Sequence, residues 1–196
     1  MIRRAWSAVF GLTCLIGPAL AAPPLVARSE APPLAAWIGF CDKRPAECAV
    51  DPAEPEVMAA TQESLDVIDA VNRYVNRTVT PVTDFDHWRI EDVWDFPVAD
   101  EGDCEDYQLL KRKLLVDAGF PRRAMRMTVV LNELGEGHAV LTIRTTKDDL
   151  ILDNRTNAIL TWAETGYAFI KRESSAKPGW VFLEPAAPAP VVTAAK

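Results

Sequence analysis

Residues 103–121 constrain the fold most. Asp103 can cap a helix, Tyr107, Leu110, Leu114 and Ala118 recur behind it at helical spacing, and Gly119 and Pro121 stop it. Beyond this helix, which begins at Cys104, the period changes from 3.6 to 2. Met125–Leu131 alternates, Leu134–Gly137 turns, His138–Arg144 is rich in β-formers, and Thr145–Asp149 turns again. Leu150–Asp153, Tyr167–Lys171 and Trp180–Leu183 are further short strands. Runs joined by turns this short pair antiparallel, so the spacing predicts an α+β domain with helices packed on an antiparallel β-meander. Upstream, Val57–Val75 reads as another helix, with Leu65, Ile68, Val71 and Val75 on one face. Pro81 ends that region. Residues 81–102, acidic and carrying Trp88, Trp94 and Phe96, read as an ordered loop with little regular structure.

The flanks read differently. Ile2-Arg3-Arg4, an uncharged apolar stretch from Ala5 to Ile16, the Gly17-Pro18 break and Ala19-Leu20-Ala21 form a secretory signal peptide over residues 1–21. A membrane anchor would need about 20 apolar residues, and Pro18 interrupts this one. Residues 22–36, with two Pro-Pro pairs, read as an extended Pro/Ala linker, and 185–196 as a flexible tail. That leaves residues 37–184 as the folded domain. With 49% hydrophobic residues in a chain of 196, one such domain can bury a sizeable core. The net charge of −7, and the lack of any basic stripe, exclude nucleic acid as a partner. A monomer is expected.

Export changes what the cysteines mean. Cys41 and Cys48 bracket a short loop containing Pro45 that a disulfide closes easily, and no second Cys/His pair stands at zinc-ligand spacing. Cys104 is left as the free thiol. It occupies the first turn of the helix, where backbone N–H groups and the helix dipole favour thiolate. His138 opens a strand after a Gly-rich turn and Asp153 closes the next strand, so a short antiparallel turn brings the two near each other. A nucleophile, a base and a carboxylate that fixes the base's tautomer require that proximity. His87, in the acidic loop, has no such partners and is the weaker candidate. The N–H of Cys104 itself, free at the helix start, is the best oxyanion donor.

Three blocks, Gly102-Asp-Cys-Glu-Asp-Tyr107, Gly137-His-Ala-Val-Leu141 and Leu150-Ile-Leu-Asp-Asn154, resemble the bacterial transglutaminase-like cysteine peptidases. That family includes periplasmic proteases that release biofilm adhesins from the outer membrane. The similarity extends through Asp92-Val-Trp94, Thr161-Trp162 and Tyr167, while Arg89 stands where members often carry glycine. It implies a papain/transglutaminase-like core and a catalytic triad of Cys104, His138 and Asp153. It also implies a periplasmic location, a protein substrate such as a surface adhesin, and regulation by an inner-membrane receptor that responds to a cyclic dinucleotide.

Asp103, Glu105 and Asp106 admit two readings. Acidic residues suit a helix start, yet three carboxylates around a thiol oppose its ionisation. A hard cation would cancel that charge, and the resemblance implies calcium held by these three residues. Trp94 is either a core anchor or, by the same resemblance, a contributor of its indole N–H to the oxyanion site or cleft. Two functions compete with a calcium-dependent endopeptidase: an acyltransferase or amidase that uses the same acyl-enzyme, and a binding module that does not turn over.

Overall fold

A computed structural model of the chain describes residues 25–185, so the signal peptide and nearly all of the tail lie outside the described residues. Its elements are β1 (Leu25–Ala31), α1 (Ala35–Lys43), α2 (Pro45–Cys48), α3 (Gln62–Thr78), β2 (Thr80–Pro81), α4 (Asp84–Trp88), β3 (Glu101–Gly102) and α5 (Cys104–Asp117). Then follow β4 (Met125–Leu131), β5 (Gly137–Arg144), β6 (Asp149–Leu152), β7 (Leu160–Thr161), β8 (Ala168–Glu173) and β9 (Trp180–Pro185). Among the described residues no helix is long and apolar enough to cross a membrane.

The expected α+β architecture is present, and the main sheet is antiparallel throughout. Its order, β1-β9-β8-β4-β5-β6-β7, is a sequential meander only from β4 to β7. After β7 the chain crosses back, so β8 pairs with the free side of β4. Two apolar clusters cover the two faces of the central strands. Leu141 and Ile143 of β5 pack with Met127 of β4 and with Leu109 and Leu115 of α5. Val140, one residue out of phase, packs with Val130, Ile151, Trp162, Tyr167 and Phe169. Burial on both faces explains why β5 reads as a continuous apolar run rather than an alternation. Helix α3 lies on α5 through Val71, Val75, Val79, Tyr107, Leu110 and Leu114.

Two boundaries differ from the sequence reading. Helix α3 starts at Gln62 because Thr61 caps it by accepting the Ser64 N–H. Residues before it run extended, and Met58 bonds on both sides to the end of β5. The proposed linker, residues 22–36, contains strand β1, paired with β9 from Leu25↔Pro185 to Ala31↔Trp180 with an irregularity between Ala27 and Glu30. Only Leu25 and Ala31 of this edge strand are buried, so it lacks the alternation that marks a half-buried strand. Its main-chain ladder and the Arg28–Glu184 and Glu30–Lys177 ion pairs hold it instead.

Trp37, Trp94 and Trp180 form an edge-to-face chain through the core, with centroids 5.9 Å apart at each contact. Beside it, Glu173 accepts hydrogen bonds from the Trp37 indole at 2.7 Å, the Met127 N–H at 3.1 Å and the Arg112 guanidinium. This buried carboxylate ties α1, α5, β4 and β8 together. The Cys41–Cys48 disulfide links α1 to α2, and Cys104 is the free cysteine among the described residues. Glu173→Ala would leave Arg112 as a buried, unpaired charge, and we expect it to cost about 3–5 kcal/mol in urea unfolding. A loss below about 1 kcal/mol would mean that Arg112 reaches solvent when its partner is removed.

Candidate active site

Local chemistry fixes the start of α5. Asp106 Oδ2 accepts the Asp103 N–H at 3.4 Å, and its Oδ1 accepts the Asp95 N–H at 3.1 Å. One carboxylate therefore closes the helix start and pins the preceding loop to it. The approach is close enough that a Cβ on Gly102 would lie 2.6 Å from Asp106 Oδ2, which is why a glycine precedes Asp103.

Cys104, the first residue of α5, is half-buried, and its Sγ–H donates to Glu105 Oε2 at 3.1 Å. Burial and the Glu105 carboxylate push the thiol well above its ordinary value, while the Ala139 N–H acts in the opposite direction. The sulfur thus lies against β5, at the residue that follows His138. His138 Nε2 is 2.8 Å from Asp153 Oδ1, and both side chains are buried. Register explains the pair. Leu141 faces Leu152 across β5 and β6, so Asp153, just beyond β6, shares a face with His138 as a diagonal neighbour. Asp153 cannot donate when ionised, so the hydrogen bond assigns the proton to Nε2 and leaves the Nδ1 lone pair available. No hydrogen bond joins Cys104 to His138 among the described residues, a separation common before substrate binds.

Asp153 is held by more than the sequence suggested. Its Oδ1 also accepts the Arg155 N–H at 3.0 Å, and its Oδ2 accepts the Tyr167 hydroxyl at 2.7 Å. The Tyr167 ring stands edge-on to His138 at 5.8 Å. From α3, Asn76 Nδ2 holds the main-chain carbonyls of Asp153 and Thr156 at 2.9 and 3.0 Å. Burial raises the Asp153 carboxyl, but His138, Arg155 and Tyr167 together bring it below the usual carboxylate range. In sequence, only Tyr167 carried a signal, as part of the family resemblance.

Asp103, Glu105 and Asp106 sit in a wider acidic cluster. The short parallel β2–β3 pair, Thr80↔Glu101 and Pro81↔Gly102, returns the 81–102 segment to its origin and sets α4 against the start of α5. Asp84 consequently joins Asp103 and Asp106, and also Asp92 and Glu105, with one oxygen from each member of either trio within 4.8 Å of the others. Asp84 also accepts the Val93 N–H at 2.5 Å. Burial raises Asp84, Asp92 and Glu105, and pushes Asp106 up to about 8. Asp103 Oδ1 is buried with no hydrogen-bond partner among the described residues. Hard carboxylate oxygens, crowded and costly to ionise, with one left orphaned, fit a hard cation. Asp103 and Glu105 have oxygens to offer it, with Asp84 and Asp92 close by. Asp106, whose two oxygens already serve backbone N–H groups, suits the structural role better.

The remaining candidates separate. Trp94 is 3% exposed and packs on Trp180, which favours the core reading. His87 stacks on Trp88 at 4.1 Å in α4. Arg89 caps α4 in the left-handed region at φ 58° and ψ 30°, the conformation that favours glycine.

A helix carrying a free cysteine at its first residue, laid on an antiparallel sheet that presents a histidine–aspartate pair, makes this a cysteine peptidase of transglutaminase-like fold. The chain belongs to the bacterial transglutaminase-like cysteine proteinases, whose family model matches residues 26–187. Among solved structures, Legionella pneumophila LapG is similar at 25% identity and a TM-score of 0.51, over 61% of this chain and 68% of that one. Calcium-bound L. pneumophila LapG is similar in fold at 23% identity and a TM-score of 0.53, over 67% and 76%. The EGTA-treated form matches at 24% and 0.52, over 63% and 72%. No curated protein sequence matches the chain.

Proposed function

We propose that this cysteine peptidase is an exported, calcium-dependent endopeptidase with Cys104 as nucleophile, His138 as base and Asp153 as the carboxylate that orients it. The observation that carries this reading is the 2.8 Å His138–Asp153 hydrogen bond, which leaves Nδ1 free on the strand beside Cys104. His138 Nδ1 takes the Cys104 proton, and the thiolate attacks the scissile carbonyl carbon. The oxyanion so formed is stabilised by the Cys104 N–H, which has no acceptor within the helix. The imidazolium then protonates the leaving amine, giving an acyl-enzyme. His138 next deprotonates a water that releases the acid and returns the thiol. Asp153 stays ionised throughout and stabilises the imidazolium.

Asp103 and Glu105, assisted by Asp84 and Asp92, hold the calcium ion in this reading, and Asp106 fixes the loop around it. Bound calcium supplies positive charge that offsets the carboxylates surrounding the sulfur. That Legionella pneumophila LapG has calcium-bound and EGTA-treated structures supports calcium as the ion. A periplasmic location, a protein substrate of the surface-adhesin kind and an inner-membrane regulatory receptor complete the proposal. They rest on the leader-like residues 1–21 and on the family resemblance.

Chelation is expected to lower single-turnover acylation reversibly. Calcium restores it, and magnesium does so poorly because it demands tighter octahedral geometry. Glu105→Gln is expected to weaken calcium binding by about 10-fold or more in calorimetry. Equal acylation rates with and without chelator, and no calorimetric binding, would return these carboxylates to a purely structural role at the helix start.

A further inference from the structure

A cavity of about 10 Å³, room for one small ion or water, lies among α1, α5 and the turn that joins β8 to β9. Its walls carry five charged side chains: Arg112 of α5, Arg122 in the turn before β4, Arg126 of β4, Glu47 of α2 and Glu173 of β8. Three guanidinium groups therefore share two carboxylates. The surplus cation is Arg126. Glu173 is taken by Arg112, the Trp37 indole and the Met127 N–H, and Glu47 pairs with Arg122 at 2.7 Å. Among the described residues no carboxylate forms an ion pair with Arg126, whose guanidinium donates to the Arg123 main-chain carbonyl. Glu56, exposed nearby, lies 3.8 Å from Arg123 instead.

Burial makes that surplus costly. Arg126 is 3% exposed and Arg112 1%. Both line the cavity, and each keeps a buried Nε–H with no hydrogen-bond partner among the described residues. Burial brings the Arg126 guanidinium down to about 10; the charge of Glu173 opposes this and that of Arg112 reinforces it. A buried cation without a counter-ion and buried donors without acceptors are both unfavourable, and a water in the cavity would answer only the second. One negative charge answers both. Size restricts its identity, since a carboxylate or phosphate brings several heavy atoms to a space that admits one. Guanidinium groups are weakly hydrated, which suits a monatomic anion that sheds water easily.

We propose that the cavity among Arg112, Arg122 and Arg126 is a binding site for a halide ion, with chloride its ordinary occupant. The ion completes the charge balance of the arginine–glutamate cluster and ties α5 to β4 and to the turn before it. Its contribution is to stability, and the site is independent of the triad reading above.

The test compares thermal melts in chloride and in gluconate, an anion too large for the cavity, at equal ionic strength and equal calcium. Replacing gluconate by chloride at about 0.1 M is expected to raise the melting temperature of the wild-type protein by about 3 °C. Arg126→Met removes the surplus charge and fills its volume. It is expected to melt at least as high as wild type in gluconate and to show no chloride response. Arg122→Gln leaves Glu47 unpaired beside the cavity, so the chloride concentration needed for half of the response should rise about tenfold. A crystal of the wild-type protein grown in bromide should show an anomalous peak in contact with Arg112 and Arg126. Equal melting of wild type in the two salts, or a chloride response that Arg126→Met retains, would overturn the proposal. So would a cavity that holds only water in the bromide crystal.

Discussion

Cys104→Ser is expected to lower kcat for peptide hydrolysis by about 10⁴-fold or more, comparable to loss of the nucleophile in a serine protease. A hydroxyl ionises far less readily than a thiol, and here it would sit beside the Glu105 carboxylate that already disfavours an anion at this position. Cys104→Ala should be equally inactive. Neither variant removes a side chain of the main apolar clusters, because Cys104 is half-buried at the helix start and its sulfur contacts the Glu105 carboxylate and the Ala139 N–H. The melting temperature should stay within about 2 °C of wild type. Activity assays paired with thermal melts check both statements. Substantial residual hydrolysis in the alanine variant would remove Cys104 from the chemistry altogether.

Asp153→Ala should cost about 10⁴-fold in kcat, in line with loss of the orienting carboxylate in other triads. The reasons are both geometric and electrostatic. Asp153 holds the proton on Nε2 at 2.8 Å, and its own position is set by Arg155, Tyr167 and Asn76. Without it the ring can adopt the wrong tautomer, and the imidazolium loses its counter-ion. Asp153→Asn removes the charge and also replaces one acceptor oxygen with an N–H donor, which can hold the His138 ring in the wrong tautomer. It should therefore lose activity by about the same order, and activity close to wild type would mean that neither the charge nor the tautomer matters. Stability responds too. With its carboxyl held below the usual range, Asp153 contributes above the unfolded value of about 3.9, and that contribution disappears as pH falls through the folded value. The gap in stability between wild type and Asp153→Ala should therefore close in acid.

The sequence made α5 legible because its signals are local: a capping aspartate, a helical stripe, and Gly119 and Pro121 at the end. The nearness of His138 and Asp153 was legible for a related reason, since a short turn leaves two antiparallel strands few ways to pair. What stayed hidden depends on distant segments. Asp84 and Asp92 enter the acidic cluster only because the two-residue β2–β3 pair folds the intervening segment back. The return of β8 to β4, and with it the contact of Tyr167 with Asp153, follows from a crossover that no local pattern encodes. Lys111 read as one of three basic residues toward the end of a helix, yet it is fully buried while Lys113 pairs with Asp117 at the surface. Strand β1 was hidden by its polar, edge-exposed composition.

The pairing of β1 with β9 governs how the domain answers a mechanical load. Leu25 faces Pro185, so the first and last described residues meet at the same end of an antiparallel ladder. Tension applied through the two ends of the domain therefore does not shear that ladder, which would load all its hydrogen bonds at once. It peels them apart one pair at a time, starting at Leu25–Pro185 and moving toward Ala31–Trp180. Such a pull exposes the Trp180 edge of the core while β4, β5 and α5, which carry the cysteine and histidine, are still paired and packed. The tryptophan chain and the Glu173 clamp thus lie behind a ladder that opens pair by pair when the two ends are pulled.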